Sequence, residues 1–196
     1  MKDLLSHLRG AVAVTLIFAV VLCGFYPVLI WGIAQAMFPY KANGSLIVDK
    51  TGTLRGSALL GQNFTGAQYF HPRPSAAGAN GYDATSSGGS NLGPTSQKLM
   101  DQLKERVAAY RKENGLTDTA QIPADAVTAS ASGLDPHISR ANAELQVQRV
   151  ARARGVQPDA LRQLVAASTD DGTFGILGKP GVNVVKLNAA LDGLMH

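Results

Sequence analysis

The sequence has one cysteine, no Walker A phosphate loop, and no acidic or basic side chain between Arg9 and Lys41. Each absence excludes a class. The single thiol, Cys23, rules out an internal disulfide and any cysteine-based metal site. The four histidines, His7, His71, His137 and His196, lack the spacing of zinc ligands. Lys41 to His196 carries 16 Lys or Arg against 13 Asp or Glu, and neither the basic residues nor the few aromatics cluster. That balance leaves no nucleic-acid footprint. At 196 residues the chain holds one ordinary domain, or a smaller domain with an appendage.

The charge-free stretch is apolar almost throughout: Ala11 to Phe38 reads AVAVTLIFAVVLCGFYPVLIWGIAQAMF. It is long enough to cross roughly 30 Å of hydrocarbon as a helix rising ~1.5 Å per residue. A transmembrane helix over 11–38 is therefore expected, preceded by a short cytoplasmic tail, 1–10. The competing reading is a cleaved signal peptide, since Lys2 and Arg9 form a basic start and Ala34-Gln35-Ala36 has the look of a cleavage site. The apolar run exceeds the usual ~7–15 residues of a signal core, which favours a retained anchor. Pro27 removes one backbone hydrogen bond and is placed to kink the helix. Gly32 and Ala36 form a small-xxx-small pair that lets a second helix approach, with Gln35 as a polar handle; a lone anchor carrying ordinary membrane glycines is the alternative. Basic residues on both flanks leave the positive-inside rule undecided. A short tail, one signal anchor and a long C-terminal domain place residues 39–196 outside the cytoplasm.

Beyond the membrane the pattern predicts an α+β domain, mainly helical, with a small β element. Leu46–Val48 and Thr53–Arg55 read as strands around a turn at Asp49–Gly52. Residues 65–95 are rich in Gly, Ser, Ala, Pro and Asn, and without periodicity form either a disordered stretch or a functional loop. Leu99, Leu103, Val107 and Tyr110 then mark a helix stopped by Gly115. A second helix runs from an N-cap at Ser139 to Gly155, with Ala141, Leu145 and Val150 as candidate inward positions. Pro158 opens a third, and Asn183 caps a last one striped by Val184, Leu187, Leu191 and Leu194.

Two stretches suggest chemistry. Asp49 begins Asp-Lys-Thr-Gly-Thr-Leu, which resembles the phosphorylation motif of P-type ion pumps. Phosphoryl transfer needs Mg²⁺, further carboxylates and a nucleotide-binding region, none of which has an identifiable partner here, so the turn reading is preferred. VTASASGLDPHIS, Val127 to Ser139, brings Ser, Asp and His close in sequence. A triad is a matter of geometry, and adjacent residues on a turn seldom align. The structural reading is that Gly133 permits an unusual backbone angle, Asp135-Pro136 starts a turn and Ser139 caps a helix. His71 reads as a loop residue, and Arg73 as a lone guanidinium able to take a partner's carboxylate or a phosphate.

GQNFTGAQYFHPRPSA at 61–76, SGGSNLGPTS at 87–96, VTASASGLDPHIS at 127–139 and FGILGKPGVNVVKLNAAL at 174–191 together resemble the KdpC family, a component of Kdp-type potassium-transporting P-type ATPases, over nearly the whole chain. The resemblance implies a non-catalytic accessory subunit of a high-affinity, ATP-driven potassium uptake complex in the bacterial inner membrane. Its implied partners are a channel-like K⁺-binding subunit, a P-type catalytic subunit that hydrolyses ATP, and a small single-span subunit. No metal site is expected on this chain, K⁺ and Mg²⁺ being handled by the partners. The family has been described as raising ATP affinity of the catalytic subunit, with ATP bound through a serine-glycine signature, here Ser130, Ser132 and Gly133. That idea conflicts with an extracytoplasmic domain, which cannot meet cytoplasmic ATP. Candidate partner contacts are Gly32 and Ala36 in the membrane and Arg73, Ser90 and Asn91 in the 65–95 segment, which is expected to dock on the channel-like subunit. A membrane-anchored envelope hydrolase using 127–139 and a free-standing anchored binding protein remain as alternatives.

Overall fold

A computed structural model describes residues 2–172 and 177–193, which form two compact units divided after Ser45. In the first unit, helix α1 (Lys2–Phe18), a π-helical segment (Ala19–Phe25) and helix α2 (Tyr26–Met37) follow one another without a break. The apolar portion, His7–Met37, spans 31 residues and is long and apolar enough to cross a membrane. Its large side chains face outward, Val20 and Phe25 being 69% and 67% exposed, as suits a lipid-facing surface and not a protein core. Pro27 sits in the first turn of α2, directly after the π-helical segment. Its missing N–H and its ring would conflict with the carbonyl of Cys23, and the wider π turns accommodate both without a break. Phe38 leaves helical geometry at φ −138°, Pro39–Ala42 form a single turn (α3), and Gln35 and Asn43 exchange side-chain amide hydrogen bonds at 3.3 and 3.1 Å. The polar handle on the span is thus taken up within its own unit.

The second unit is α+β and mainly helical. Strands β1 (Leu46–Val48) and β2 (Leu54–Ser57) pair antiparallel, Leu46 opposite Ser57 and Val48 opposite Leu54, with a bulge between Ile47 and Val48. Strand β2 starts one residue later than expected, because the Thr53 N–H turns toward Asp49. Helix α4 (Gln97–Asn114) is ended by Gly115 at φ +64°, as its sequence predicts, and is capped by Ser96. A one-turn helix α5 (Ala124–Val127), strand β3 (His137–Ile138), helix α6 (Arg140–Arg154), helix α7 (Pro158–Ala167), strand β4 (Thr169–Asp170), strand β5 (Gly181–Asn183) and helix α8 (Val184–Leu191) complete it. The caps expected at Ser139 and Asn183 are present, each side chain accepting the N–H three residues on.

The three-stranded sheet β3-β5-β4 was not expected. Strands of two or three residues are too short to show alternation, and they lie among turn-forming residues. The main core is built on α6: Ala143, Val147 and Val150 pack with Phe70, Leu161, Val182 and Leu187. Ala141 corrects the sequence reading, since it is exposed; a small residue at the start of a helix says little about which face turns inward. Leu145 instead packs beside the smaller cluster of Tyr110, Ala126 and Val127, joined by Leu103 and Val107 from α4. Val184 and Leu187 of the last stripe are buried and Leu191 packs against the core, whereas Leu194 and Phe174–Ile176 lie outside the described residues. Residues 65–95 hold a defined course, with Phe70 and Ala77 fully buried.

Candidate functional site

The hairpin turn uses Asp49 as its organising acceptor. Its Oδ1 accepts from Thr51 N (2.9 Å), Thr51 Oγ1 (2.6 Å) and Thr53 N (2.9 Å), and its Oδ2 from Arg55 Nε (2.8 Å) and Nη2 (2.7 Å). The Thr51 hydroxyl, with the Thr53 N–H and Arg55, holds this carboxyl far below the usual carboxylate range. An aspartate with both oxygens bound inside one turn and its side chain 3% exposed presents no attacking atom to a phosphoryl donor.

Ser130, Ser132 and Gly133 form a tight loop against residues 74–88. Ser130 is buried; its N–H donates to Pro74 O (3.0 Å) and its hydroxyl accepts from Gly133 N (3.0 Å). Leu134 N donates to Ser132 Oγ, and Ser132 O accepts from Gly88 N and Ser87 Oγ. Gly133 takes φ +69°, and a β-carbon there would stand 2.6 Å from Ala77 Cβ and 2.8 Å from Gly88 O, so only glycine fits. The N–H groups of Ser130, Gly133 and Leu134 are all donated within the fold. The arrangement serves to join two distant segments. Among the described residues no group of three His, Cys, Asp or Glu side chains is placed to hold a metal ion.

His137 sits in a row of alternating charges. Its Nδ1 lies 3.4 Å from Asp135 Oδ1 and its Nε2 3.0 Å from Asp170 Oδ2; Asp135 also binds Arg73 (3.1 Å) and Asp170 binds Lys186 (2.8 Å). The hydrogen bond to Asp135, opposed by burial and aided by Asp170, raises the imidazole above its ordinary value. Burial works against ionisation of both carboxyls but is outweighed: His137 and Arg73 hold Asp135 low, and Lys186 and His137 hold Asp170 low. Both ring nitrogens face carboxylates, Ser130 Oγ is taken by Gly133, and Ser139 Oγ donates to Asp125 (2.8 Å). Ser, His and Asp of the 127–139 stretch therefore form no hydrolytic triad.

A cleft of about 450 Å³ opens between residues 63–82 and α4, lined among others by His71, Arg73, Tyr82, Arg106, Tyr110 and Glu113. His71 Nδ1 meets Glu113 Oε1 at 2.9 Å and its Nε2 meets Gly66 O at 3.0 Å. The His71 hydrogen bond holds Glu113 below its usual range despite partial burial. Tyr82 donates to Arg73 O (2.8 Å), and burial pushes its phenol well up. Arg73 thus lies at the edge of this cleft and bonds Asp135 of the neighbouring charge row. Ser90 and Asn91 are exposed on the surface, Asn91 at φ +52°, and Gly32 and Ala36 are exposed one turn apart on α2.

The groups that hold the cleft's floor are ones the sequence reading missed. Asn142, Gln146 and Arg149 project from α6 at helical spacing and are buried. Gln146 exchanges bonds with the backbone of His71, accepting from its N–H (2.7 Å) and donating to its carbonyl (3.1 Å). Arg149 donates to the carbonyls of Ala67 (2.7 Å) and Tyr69 (2.9 Å), to Gln146 Oε1 and to Asn114 Oδ1. Asn188 of α8 brackets Phe70 in the same way, at 2.9 Å on both sides. Tyr110 and Gln146 both donate to Asn142 Oδ1. A polar stripe at i, i+4 and i+7 beside an apolar face was a legible signal. It marks a helix that satisfies the backbone of an irregular segment in place of a sheet.

Comparison with known proteins agrees with this layout. Residues 8–193 match the family described as the c chain of K⁺-transporting ATPases, KdpC. A potassium-transporting ATPase KdpC subunit from Nitratidesulfovibrio vulgaris is 53% identical over 97% of this chain and 96% of its own length. One from Koribacter versatilis is 54% identical over 96% and 95%, and one from Mycobacterium tuberculosis 50% identical over 96% and 98%. Spanning both the apolar helix and the α+β unit, the match shows that the chain belongs to the KdpC family of potassium-transporting ATPase subunits.

Proposed function

We propose that this chain is a non-catalytic accessory subunit of an ATP-driven potassium uptake complex, anchored in the bacterial inner membrane by residues 11–38 with 39–196 outside the cytoplasm. It assembles and stabilises a channel-like K⁺-binding subunit, a P-type catalytic subunit and a small single-span subunit. The observation that carries this reading is the collinear match over residues 8–193, at about half identity to proteins named as KdpC subunits. The geometry supports a structural role: Asp49, Ser130 and His137 are all committed to bonds inside the fold. Gly32 and Ala36 are suited to close helix approach in the membrane.

Purification through a tag on this chain in mild detergent tests the reading. A multi-span P-type pump and a channel-like subunit should co-purify, and a chain that purifies alone overturns it. Asp49→Asn should leave ATP-driven K⁺ transport and phosphoenzyme formation intact. Loss of the phosphoenzyme with normal assembly would overturn the assignment of catalysis to another chain. Docking of the 65–95 segment is tested at exposed Ser90 and Asn91; deletion of the segment would also remove the buried Phe70.

Nucleotide binding at Ser130, Ser132 and Gly133 is the second reading, and the internal bonds of that loop favour assembly over it. Isothermal titration of the purified chain with ATP, wild type against Ser132→Ala, tests it: saturable heat lost in the variant would restore nucleotide binding.

A further inference from the structure

The cleft between residues 63–82 and α4 has an uneven charge account. Its one acidic lining residue, Glu113, is matched by His71 at 2.9 Å. Arg73 uses only Nη1, toward Asp135, and its buried Nε has no hydrogen-bond partner among the described residues. Arg106 donates through Nη1 to Val127 O at 3.1 Å and has no carboxylate within ion-pair distance among the described residues. Other polar groups at the cleft bond within the fold: Tyr82 OH with Arg73 O, Ser75 Oγ with Gly133 O, and Asn63 Nδ2 with Asn80 O. Two guanidinium groups therefore hold spare donors, and one of them an unneutralised charge, at the edge of a concave surface.

We propose that this cleft receives an acidic side chain of a neighbouring subunit, its carboxylate seated between Arg73 and Arg106. The proposal rests on the reading of the chain as an assembly subunit. A guanidinium offers paired N–H donors whose spacing matches a carboxylate. A free small carboxylate in so open a cleft would exchange its hydration for few donors and bind weakly. One carried on a docked subunit arrives at high effective concentration and adds its surroundings to the contact. The bond from Tyr82 to Arg73 O and the His71–Glu113 pair fix the two walls, so the site needs no rearrangement.

The test uses the assembled complex in mild detergent and follows retention of this chain as salt is raised. Arg106→Glu should lower retention at least about tenfold, as a like charge facing a carboxylate does. Glu113→Gln should shift release to higher salt, because it removes the one negative charge lining the cleft among the described residues while its amide oxygen can still accept from His71 and hold that wall; a purely structural role for the cleft would not tighten binding. Arg106→Lys adds a second readout that does not depend on stability: a zero-length carbodiimide reagent should couple Lys at position 106 to an Asp or Glu of another subunit, read by mass spectrometry. Wild-type retention of Arg106→Glu, or coupling only within this chain, overturns the proposal. So does weakened retention by millimolar acetate with no cross-link, which would make the site one for a free small carboxylate. If the wild-type chain itself fails to co-purify, the assembly reading fails instead, and the two failures are distinct.

Discussion

Residues 66–82 and 83–96 are consecutive halves of one long connection, and they are held in different ways. The first half threads under α6 and α8, its backbone groups taken by Gln146, Arg149 and Asn188, with Phe70 and Ala77 fully buried. The second half runs over the surface and is tied to the rest of the unit mainly through Asp83 N to Ala77 O, and through Ser87 and Gly88 to Ser132 O. The difference teaches that order in an irregular segment follows from where its peptide groups find partners, not from its own composition. It also divides the candidate contacts: Arg73 lies on the internally bonded half, at the edge of the cleft, and Ser90 and Asn91 lie on the exposed half.

The largest effect should come from the first half. Phe70→Ala should cost about 3–5 kcal/mol, the range for emptying a fully buried aromatic site, measured by urea unfolding of the full chain in detergent. A cost near that of a surface substitution would break the comparison. Arg149→Met should cost about 3 kcal/mol by taking a donor from the part-buried carbonyls of Ala67 and Tyr69 and from the buried oxygens of Asn114 and Gln146. Native-state hydrogen exchange should then show increased exchange over 66–71 and little change over 83–96.

Gly133→Ala tests the seam that ties the second half down. A left-handed backbone and contact with Ala77 and Gly88 should cost about 2 kcal/mol, read as a lowered melting temperature. Titration should show a smaller effect at the charge row. Because His137 is raised from 6.5 in the fold, its contribution is complete below that pH and is lost as pH rises through the raised value. Asp135 and Asp170 are lowered from 3.8, so theirs is present above that pH and lost as pH falls through the lowered values. Stability from these charges should therefore peak between the two, and His137→Gln should flatten the alkaline side. Half-exposed partners keep the amplitude small. Ser90→Ala should change stability by no more than about 0.5 kcal/mol; a larger loss would show the second half to be as built-in as the first.

Much of the architecture was legible in local pattern. The charge-free run, the caps at Ser139 and Asn183, and the stops at Gly115 and Gly155 are each decided by nearest neighbours, and each stands as the sequence predicts. The turn at Asp49 was legible for the same reason, as an acceptor two and four residues from its own donors. The sheet β3-β5-β4 was not, and the inward register of α6 was legible only in part: Val150 is buried as expected, but Ala141 points out and Ala143 in. The cleft was legible only in part: Arg73 stood out as a lone guanidinium, while Arg106 is one of several charges along α4 that nothing in the sequence sets apart.

Length, hydropathy and capping chemistry thus determined by themselves that one helix can cross a membrane and that an α+β unit follows it, because those properties depend on residues within a turn or two of one another. The tertiary structure alone decided that the backbone of residues 66–71 is bonded to α6 and α8, that Ser130 and Asp49 are bonded inward, and that Arg73 and Arg106 line one cleft. These pairings join distant positions, Phe70 and Asn188 being 118 residues apart. No local periodicity encodes them, since a buried peptide group is satisfied by whichever side chain the fold brings to it.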